Sequence, residues 1–242
     1  MDVAIVIPSR MGSTRFPGKP LCDLLGKPMI QWVCEAAARS GIGGAVIVAT
    51  PDQEIVDACS QFGAEAILTS HDHPTGTDRI AEVAKKLRAD VYLNVQGDEP
   101  LVDPTDMEKC VRPLVAGDAV MASVMTACPE HEADNHAVVK VVTDLQDNAL
   151  YFSRNAIPFP RHERVSPLMK HVGMYAYTRE TVMSFSGWSQ TPLEVAEGLE
   201  QLRFLEHGVQ IRMARGHGCA LAVDTPEQAE AVRLLLAEAG HG

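Results

Sequence analysis

Through residues 1–100, short apolar runs alternate with stretches whose apolar positions recur every three or four residues. Residues 3–8 (VAIVIP) are an unbroken apolar run with β-branched members, which predicts a buried strand. Pro28 opens a helix, where a missing N–H costs nothing; Met29, Val33 and Ala37 follow at helical spacing and Gly41 stops it. Residues 45–50 predict a second strand. Asp52 heads a helix whose apolar stripe is Ile55, Val56, Cys59 and Phe62, closed by Gly63. Residues 64–68 predict a short third strand. Thr77 or Asp78 starts a helix that turns Ile80, Val83, Ala84 and Leu87 inward, and residues 91–95 predict a fourth strand. This β-α-β-α-β-α-β order implies an α/β fold with a mostly parallel, doubly wound sheet and helices on both faces.

The later pattern is less regular. A helix over 104–115 leads to a strand over 119–126, and strands over 138–142 and 150–153 flank a turn at 144–148. Residues 155–169, rich in Pro, Arg and His, predict a mobile loop. A strand over 171–177, one long helix over 192–207 and a strand over 211–214 follow. Asp224-Thr225-Pro226-Glu227 caps the last helix, with Pro226 at its first position. This half reads as a smaller mixed β/α insertion. No repeat, low-complexity tract or linker divides the chain, so a single domain over 1–242 is expected, with 120–215 a candidate subunit interface.

Ligands of such sheets sit beyond the carboxyl ends of the strands, which singles out two segments. After the first strand comes a Gly/Pro/Ser loop ending at Pro20 and carrying Arg10, Arg15 and Lys19. A basic loop between strand and helix presents backbone N–H groups and positive charge to a phosphate. Five residues separate Gly12 from Gly18, and Pro20 follows Lys19, so this is not a Walker A loop. A G-x-G-x-x-G fingerprint is absent too. The competing reading is a surface loop whose cations only aid solubility. Charge alters that balance: the 242 residues carry a formal −11, and a chain that repels anions overall must gather cations where it binds one. The same acidity argues against a nucleic-acid partner.

The second segment, Asn94-Val95-Gln96-Gly97-Asp98-Glu99-Pro100, ends the fourth strand. Adjacent acids after a glycine suit a hard cation such as Mg²⁺, and a solvated turn with helix-capping acids fits equally well. Asp224 is a second candidate ligand in a sequence that is also a good helix cap. The stretch from His73 to Arg79 enters a helix; it either contacts a base or sugar or is an ordinary N-cap. His71 and His73 have no third ligand nearby, so zinc is not expected. Cys22, Cys34, Cys59, Cys110, Cys128 and Cys219 form no C-x-x-C and fit reduced, mostly buried thiols of a cytoplasmic protein. Neither a signal peptide nor a membrane-spanning run is apparent.

Taken together, Pro8-Ser9-Arg10, Ser13-Thr14-Arg15, Pro17-Gly18-Lys19-Pro20-Leu21, Gly76-Thr77-Asp78-Arg79, the segment from Asn94 to Pro100 and Ala149-Leu150-Tyr151-Phe152-Ser153-Arg154 resemble the signature of the 3-deoxy-manno-octulosonate (Kdo) cytidylyltransferases. Lys170-His171-Val172-Gly173 with Tyr175 and Tyr177, Leu199-Glu200-Gln201-Leu202-Arg203 and Val223-Asp224-Thr225-Pro226-Glu227 extend the likeness over nearly the whole chain. The resemblance implies a nucleotide-diphospho-sugar-transferase-like fold and attack of a 3-deoxy-2-keto sugar acid on the α-phosphate of CTP, giving CMP-Kdo and pyrophosphate for lipopolysaccharide synthesis. It further implies Mg²⁺ on Asp98 and Asp224, and triphosphate contacts and catalysis by Arg10, Arg15 and Lys19 together with Asp98. Pro8, Ser9, Thr75, Gly76 and Arg79 would read the nucleoside. Gln96, Arg154, His171, Tyr177, Glu200 and Gln201 would hold the sugar, in a homodimer. Ser9, Thr75 and Ala176 stand where the family often has Ala, Ser and Gly. Ile157-Pro158-Phe159 and Tyr175-Ala176-Tyr177-Thr178-Arg179 are similar to relatives that use the 8-amino analogue of Kdo. The alternatives are therefore the same transfer to 8-amino-Kdo or another 2-keto-3-deoxy sugar acid, or a CTP-binding module without turnover.

Overall fold

The computed structural model describes residues 1–162, 167–219 and 221–240. From β1 (Val3–Pro8) the chain passes through a 3-10 turn (Lys19–Leu21) and a small hairpin, β2 (Asp23–Leu24) and β3 (Lys27–Pro28), into α1 (Met29–Ala38). Then come β4 (Ala45–Thr50), α2 (Gln53–Gln61), β5 (Glu65–Leu68), α3 (Gly76–Lys86), β6 (Val91–Asn94) and α4 (Pro104–Val115). The remainder is β7 (Met121–Ala127), β8 (Lys140–Thr143), β9 (Ala149–Ser153), β10 (Met169–Thr178), α5 (Arg179–Phe185), α6 (Pro192–Glu197), α7 (Gln201–Glu206), β11 (Arg212–Arg215) and α8 (Pro226–Glu238).

The main sheet runs β11-β7-β10-β6-β1-β4-β5. β6, β1, β4 and β5 are mutually parallel, as are β7 and β11. β10 lies antiparallel between β6 and β7, and the β8–β9 hairpin attaches to it. Both faces of β1 are covered, which is why its apolar run is unbroken. Val3, Ile5 and Ile7 share a core with Ile30 and Val33 of α1, Ile55 of α2 and Met107 of α4. Ala4 and Val6 share the opposite one with Ile80 and Val83 of α3 and Phe185 of α5. Val232 and Leu236 of α8 join Leu24, Met29 and Trp32 in a third.

The chain goes from β1 outward to β4 and β5, then returns to β6 on the other side of β1. The loops after β1 and β6 therefore part at the carboxyl edge and leave a crevice between them. Gly97 makes their closeness possible: a Cβ there would stand 2.8 Å from the Pro8 carbonyl oxygen.

Two expectations need correction. The single helix over 192–207 is two, because Gly198 takes a left-handed conformation (φ 63°) that ends α6. Glu200 and Gln201 thus stand at the start of α7 rather than mid-helix. The helix α5 stands where the pattern predicts no element, because its seven residues are too few to show a period; Thr178 caps it by accepting a hydrogen bond from the Thr181 N–H. Of the loop expected over 155–169, residues 163–166 lie outside the described residues.

Candidate active site

The loop after β1 is held by a carboxylate borrowed from α2. Asp52 occupies the N-cap position of α2 but its side chain caps nothing; Oδ2 accepts from the Met11 N–H at 2.7 Å. A comparable division occurs at α8. Thr225, not Asp224, caps that helix, with Gln228 completing a capping box. The Asp224 carboxylate is left to face the crevice, where Arg15 Nη2 lies 3.1 Å from Oδ2. The Lys19 ammonium donates to Asp98 at 2.7 Å and to Asp224 at 3.1 Å. Asp98 is likewise no helix cap, since Asp103 caps α4. Two carboxylates from opposite walls thus converge on one half-buried cation. Their oxygens are partly open to solvent, a donor set that fits a hard cation such as Mg²⁺.

Pro8, Ser9, Arg10, Arg15, Lys19, Thr75, Gly76, Arg79, Gln96, Asp98 and Asp224 all line one cavity of about 440 Å³. Arg10 is exposed at its mouth. Thr75 is the N-cap of α3, its hydroxyl accepting from the Asp78 N–H at 3.2 Å and donating to Asp78 Oδ2 at 2.8 Å. Arg79 is buried and donates to the Thr69 hydroxyl and, at 3.0 Å, to the Ser70 carbonyl. The Ser9 hydroxyl is buried without a partner, an open hydrogen-bonding group in the cavity wall.

Gln96, His171, Tyr177, Glu200 and Gln201 line a second cavity of about 530 Å³, and Gly76, Gln96 and Glu200 line both. Tyr175 donates to Gln201 Oε1 at 3.1 Å, which fixes the amide so that Nε2, buried, has no partner. Burial pushes the His171 pKa down to about 3, so its ring is neutral; one nitrogen sits 2.9 Å from the Ser123 hydroxyl. Burial, and secondarily the Asp98 charge, pushes Glu99 up to about 8. Burial also raises the Glu200 carboxyl, against a hydrogen bond of 2.8 Å donated by Thr77.

Arg154 is the one candidate that lines neither cavity among the described residues. Its Nε donates to the Glu197 carbonyl at 2.7 Å, and Nη1 and Nη2 reach the His136 and Gly198 carbonyls. The guanidinium therefore stands behind Gly198, bracing the wall. Thr77, Asn94 and Glu99 also line the second cavity: Glu99, one of the two adjacent acids after Gly97, faces this side rather than the Lys19 cluster, and Asn94 carries no signal of its own in the sequence. Lys140 is a different kind of omission. It is fully buried and donates to the carbonyls of Asn135, Val138 and Arg154 at 2.8, 2.8 and 3.0 Å, holding the segment that supplies Ala137, Val138 and Val139 to the cavity. A lysine inside the run AVVKVV was the available signal.

A cation-lined cavity at the switch point, joined to a second one, suits transfer of a nucleotidyl group, and similarity to known proteins places the chain among the nucleotidyltransferases. The cytidylyltransferase family model matches residues 4–211, and the chain belongs to that family. Within it, the chain stands with the 3-deoxy-manno-octulosonate cytidylyltransferases. The protein of that name from Trichlorobacter lovleyi is 45% identical, over 94% of this chain and 95% of its own length. Those from Escherichia coli and Anaeromyxobacter dehalogenans are 44% and 48% identical, with 97% of this chain covered in each case and 96% and 98% of theirs. The solved structure of CMP:2-keto-3-deoxy-manno-octonic acid synthetase complexed with CTP superposes with a TM-score of 0.95 at 43% identity, covering 98% of this chain and 99% of that one. The 4-diphosphocytidyl-2C-methyl-D-erythritol synthase of Anaerococcus prevotii, at 10% identity and a TM-score of 0.66, shares the fold.

Proposed function

We propose that this chain transfers a cytidylyl group from CTP to 3-deoxy-manno-octulosonate, releasing pyrophosphate and the CMP-sugar used in lipopolysaccharide synthesis. The observation that carries the reading is the shared wall: the cation-lined cavity and the sugar-side cavity meet at Gly76, Gln96 and Glu200. A triphosphate held by Arg10, Arg15 and Lys19 presents its α-phosphorus at that junction, where an acceptor hydroxyl arrives from the other side. Positioning and charge neutralisation supply most of the acceleration in such transfers. Ser9, Thr75, Gly76 and Arg79 orient the nucleoside, and Lys19 and the two arginines take up the charge that grows on the departing pyrophosphate. Gln201 Nε2 offers the acceptor sugar an unused donor, while Tyr177 and neutral His171 shape its pocket. Asp98 and Asp224 would hold Mg²⁺, which when bound neutralises phosphate charge and acidifies the attacking hydroxyl.

The 8-amino analogue is the second reading for the acceptor. Glu99 and Glu200 both face the sugar-side cavity, and an ammonium there would supply the counter-charge that offsets the burial raising both carboxyls. Homodimerisation through 120–215 is supported by the exposure of Leu145, Leu150 and Val195 in that stretch, and light scattering at micromolar concentration tests it. A cytoplasmic location agrees with the buried thiols of Cys34, Cys59 and Cys110; among the described residues no helix is long and apolar enough to cross a membrane. The deciding assay is pyrophosphate release from CTP and Mg²⁺ with Kdo or 8-amino-Kdo. Absence of release with both overturns the function, leaving a CTP-binding module. Full activity in Asp98→Asn removes the metal role.

A further inference from the structure

Between the two cavities runs a line of buried polar side chains. Gln96 Nε2 reaches Asn94 Oδ1 at 3.3 Å. The Tyr177 phenol meets the side chains of both Asn94 and Thr77. Thr77 in turn donates to Glu200 Oε2 at 2.8 Å, across 123 residues of sequence. Asn94, Thr77 and Tyr177 are 3%, 3% and 1% exposed, so water does not substitute for these contacts. Gln96 and Glu200, the two ends of the line, are residues that open onto both cavities.

Thr77 holds a particular place in this line. It follows Thr75 and Gly76, which line the cation-bearing cavity, and belongs to the rigid first turn of α3. Its hydroxyl leaves that turn for α7, on the other side of the site. The Thr75 cap fixes the backbone of the turn, so the Thr77 hydroxyl is a fixed anchor for the Glu200 carboxylate. Thr75 is the other side chain that hydrogen-bonds Glu200, but its hydroxyl is already engaged with Asp78, so without the Thr77 hydroxyl a largely buried carboxylate would lose its main donor and turn away from the shared wall.

Resting on the function proposed above, we infer that Thr77 is a positioning residue for the acceptor sugar: its hydroxyl aims Glu200 from the nucleotide-side turn, so the two substrate sites share one wall. The contribution is directional. It acts on the sugar through Glu200 and leaves the triphosphate contacts of Arg10, Arg15 and Lys19 untouched.

The test uses the full chain as wild type, Thr77→Val and Thr77→Ser. KM for Kdo and for CTP are measured by pyrophosphate release, and CTP affinity by calorimetry without sugar. Thr77→Val, nearly the same shape without the hydroxyl, should raise KM for Kdo by about 10- to 100-fold. Its CTP affinity should stay within about twofold, and Thr77→Ser should restore KM for Kdo to within about threefold of wild type. A merely structural role would weaken both substrates together, so a parallel loss of CTP affinity overturns the inference. So does an unchanged KM for Kdo in Thr77→Val, or a loss in Thr77→Ser as large as in Thr77→Val. Should Thr77→Val fail to fold, Thr77→Ala makes the same test under the same criteria. Wild-type turnover alone decides the function, and the ratio of variant to wild type decides the role of Thr77; if the wild type turns over neither sugar, the inference falls with the function.

Discussion

Glu194→Gln tests how firmly the acceptor side of the site is anchored. Glu194 in α6 and Arg203 in α7 are 3% and 4% exposed and form a two-pronged pair, Nε to Oε2 at 2.7 Å and Nη2 to Oε1 at 2.5 Å. The guanidinium also stacks 4.0 Å from the centre of the Phe185 ring. Between these two residues lies the turn that presents Glu200 and Gln201. Glutamine keeps the size but strands a buried guanidinium without its counter-charge, which costs about 3–5 kcal/mol. In a chain of this length each kcal/mol lowers the melting temperature by about 2–4 °C, so a fall of about 6–20 °C is expected. Burial works against the charged form of Glu194, but the hydrogen bonds and charge of Arg203 outweigh it and hold the carboxyl below its ordinary range. The folded pKa is thus below the unfolded one near 4.5. The contribution is complete above that value and is lost as pH falls through the folded pKa. Calorimetric melting of wild type and variant at pH 7 and in a series below pH 4.5 is the assay. A difference under about 2 °C at pH 7, or one that fails to narrow in acid, would refute the reasoning.

Three further outcomes follow from the site. The His171 pKa is near 3 in the fold against 6.5 unfolded, so between these values the unfolded chain binds a proton that the folded one does not. Stability should therefore drop by about 1.4 kcal/mol per pH unit below 6.5, and His171→Gln should abolish that component of the slope; identical pH-dependent melting in both proteins counts against it. Lys19→Met removes the ammonium shared by Asp98 and Asp224 and should lower kcat/KM by about 10²- to 10³-fold with an unchanged circular dichroism spectrum; a loss under about tenfold denies Lys19 its role. Gly198→Ala forces a Cβ into a left-handed conformation at about 1–2 kcal/mol and should lower the melting temperature by about 2–8 °C, whereas an unshifted melt would show that the backbone there relaxes freely.

By itself the sequence determined the alternation of strands and helices, the basic loop after β1 and the acidic turn after β6. Such signals are local: they depend on neighbours three or four residues away and on turn residues in place, and β1 and β4 begin and end where the pattern says. Period alone does not distinguish parallel from antiparallel pairing, so the antiparallel course of β10 emerged only once β6 and β7 stood on either side of it. Nor does local pattern say which of two uses a side chain serves. Asp224 sits in a good cap sequence, yet Thr225 takes the cap and Asp224 meets Lys19, 205 residues away. Arg154 fits a sugar-binding motif, yet backbone carbonyls behind Gly198 claim its guanidinium. The tertiary structure decided these cases because a charge or hydroxyl leaving water takes whichever partner the topology brings within hydrogen-bonding distance, and sequence separation does not limit that choice.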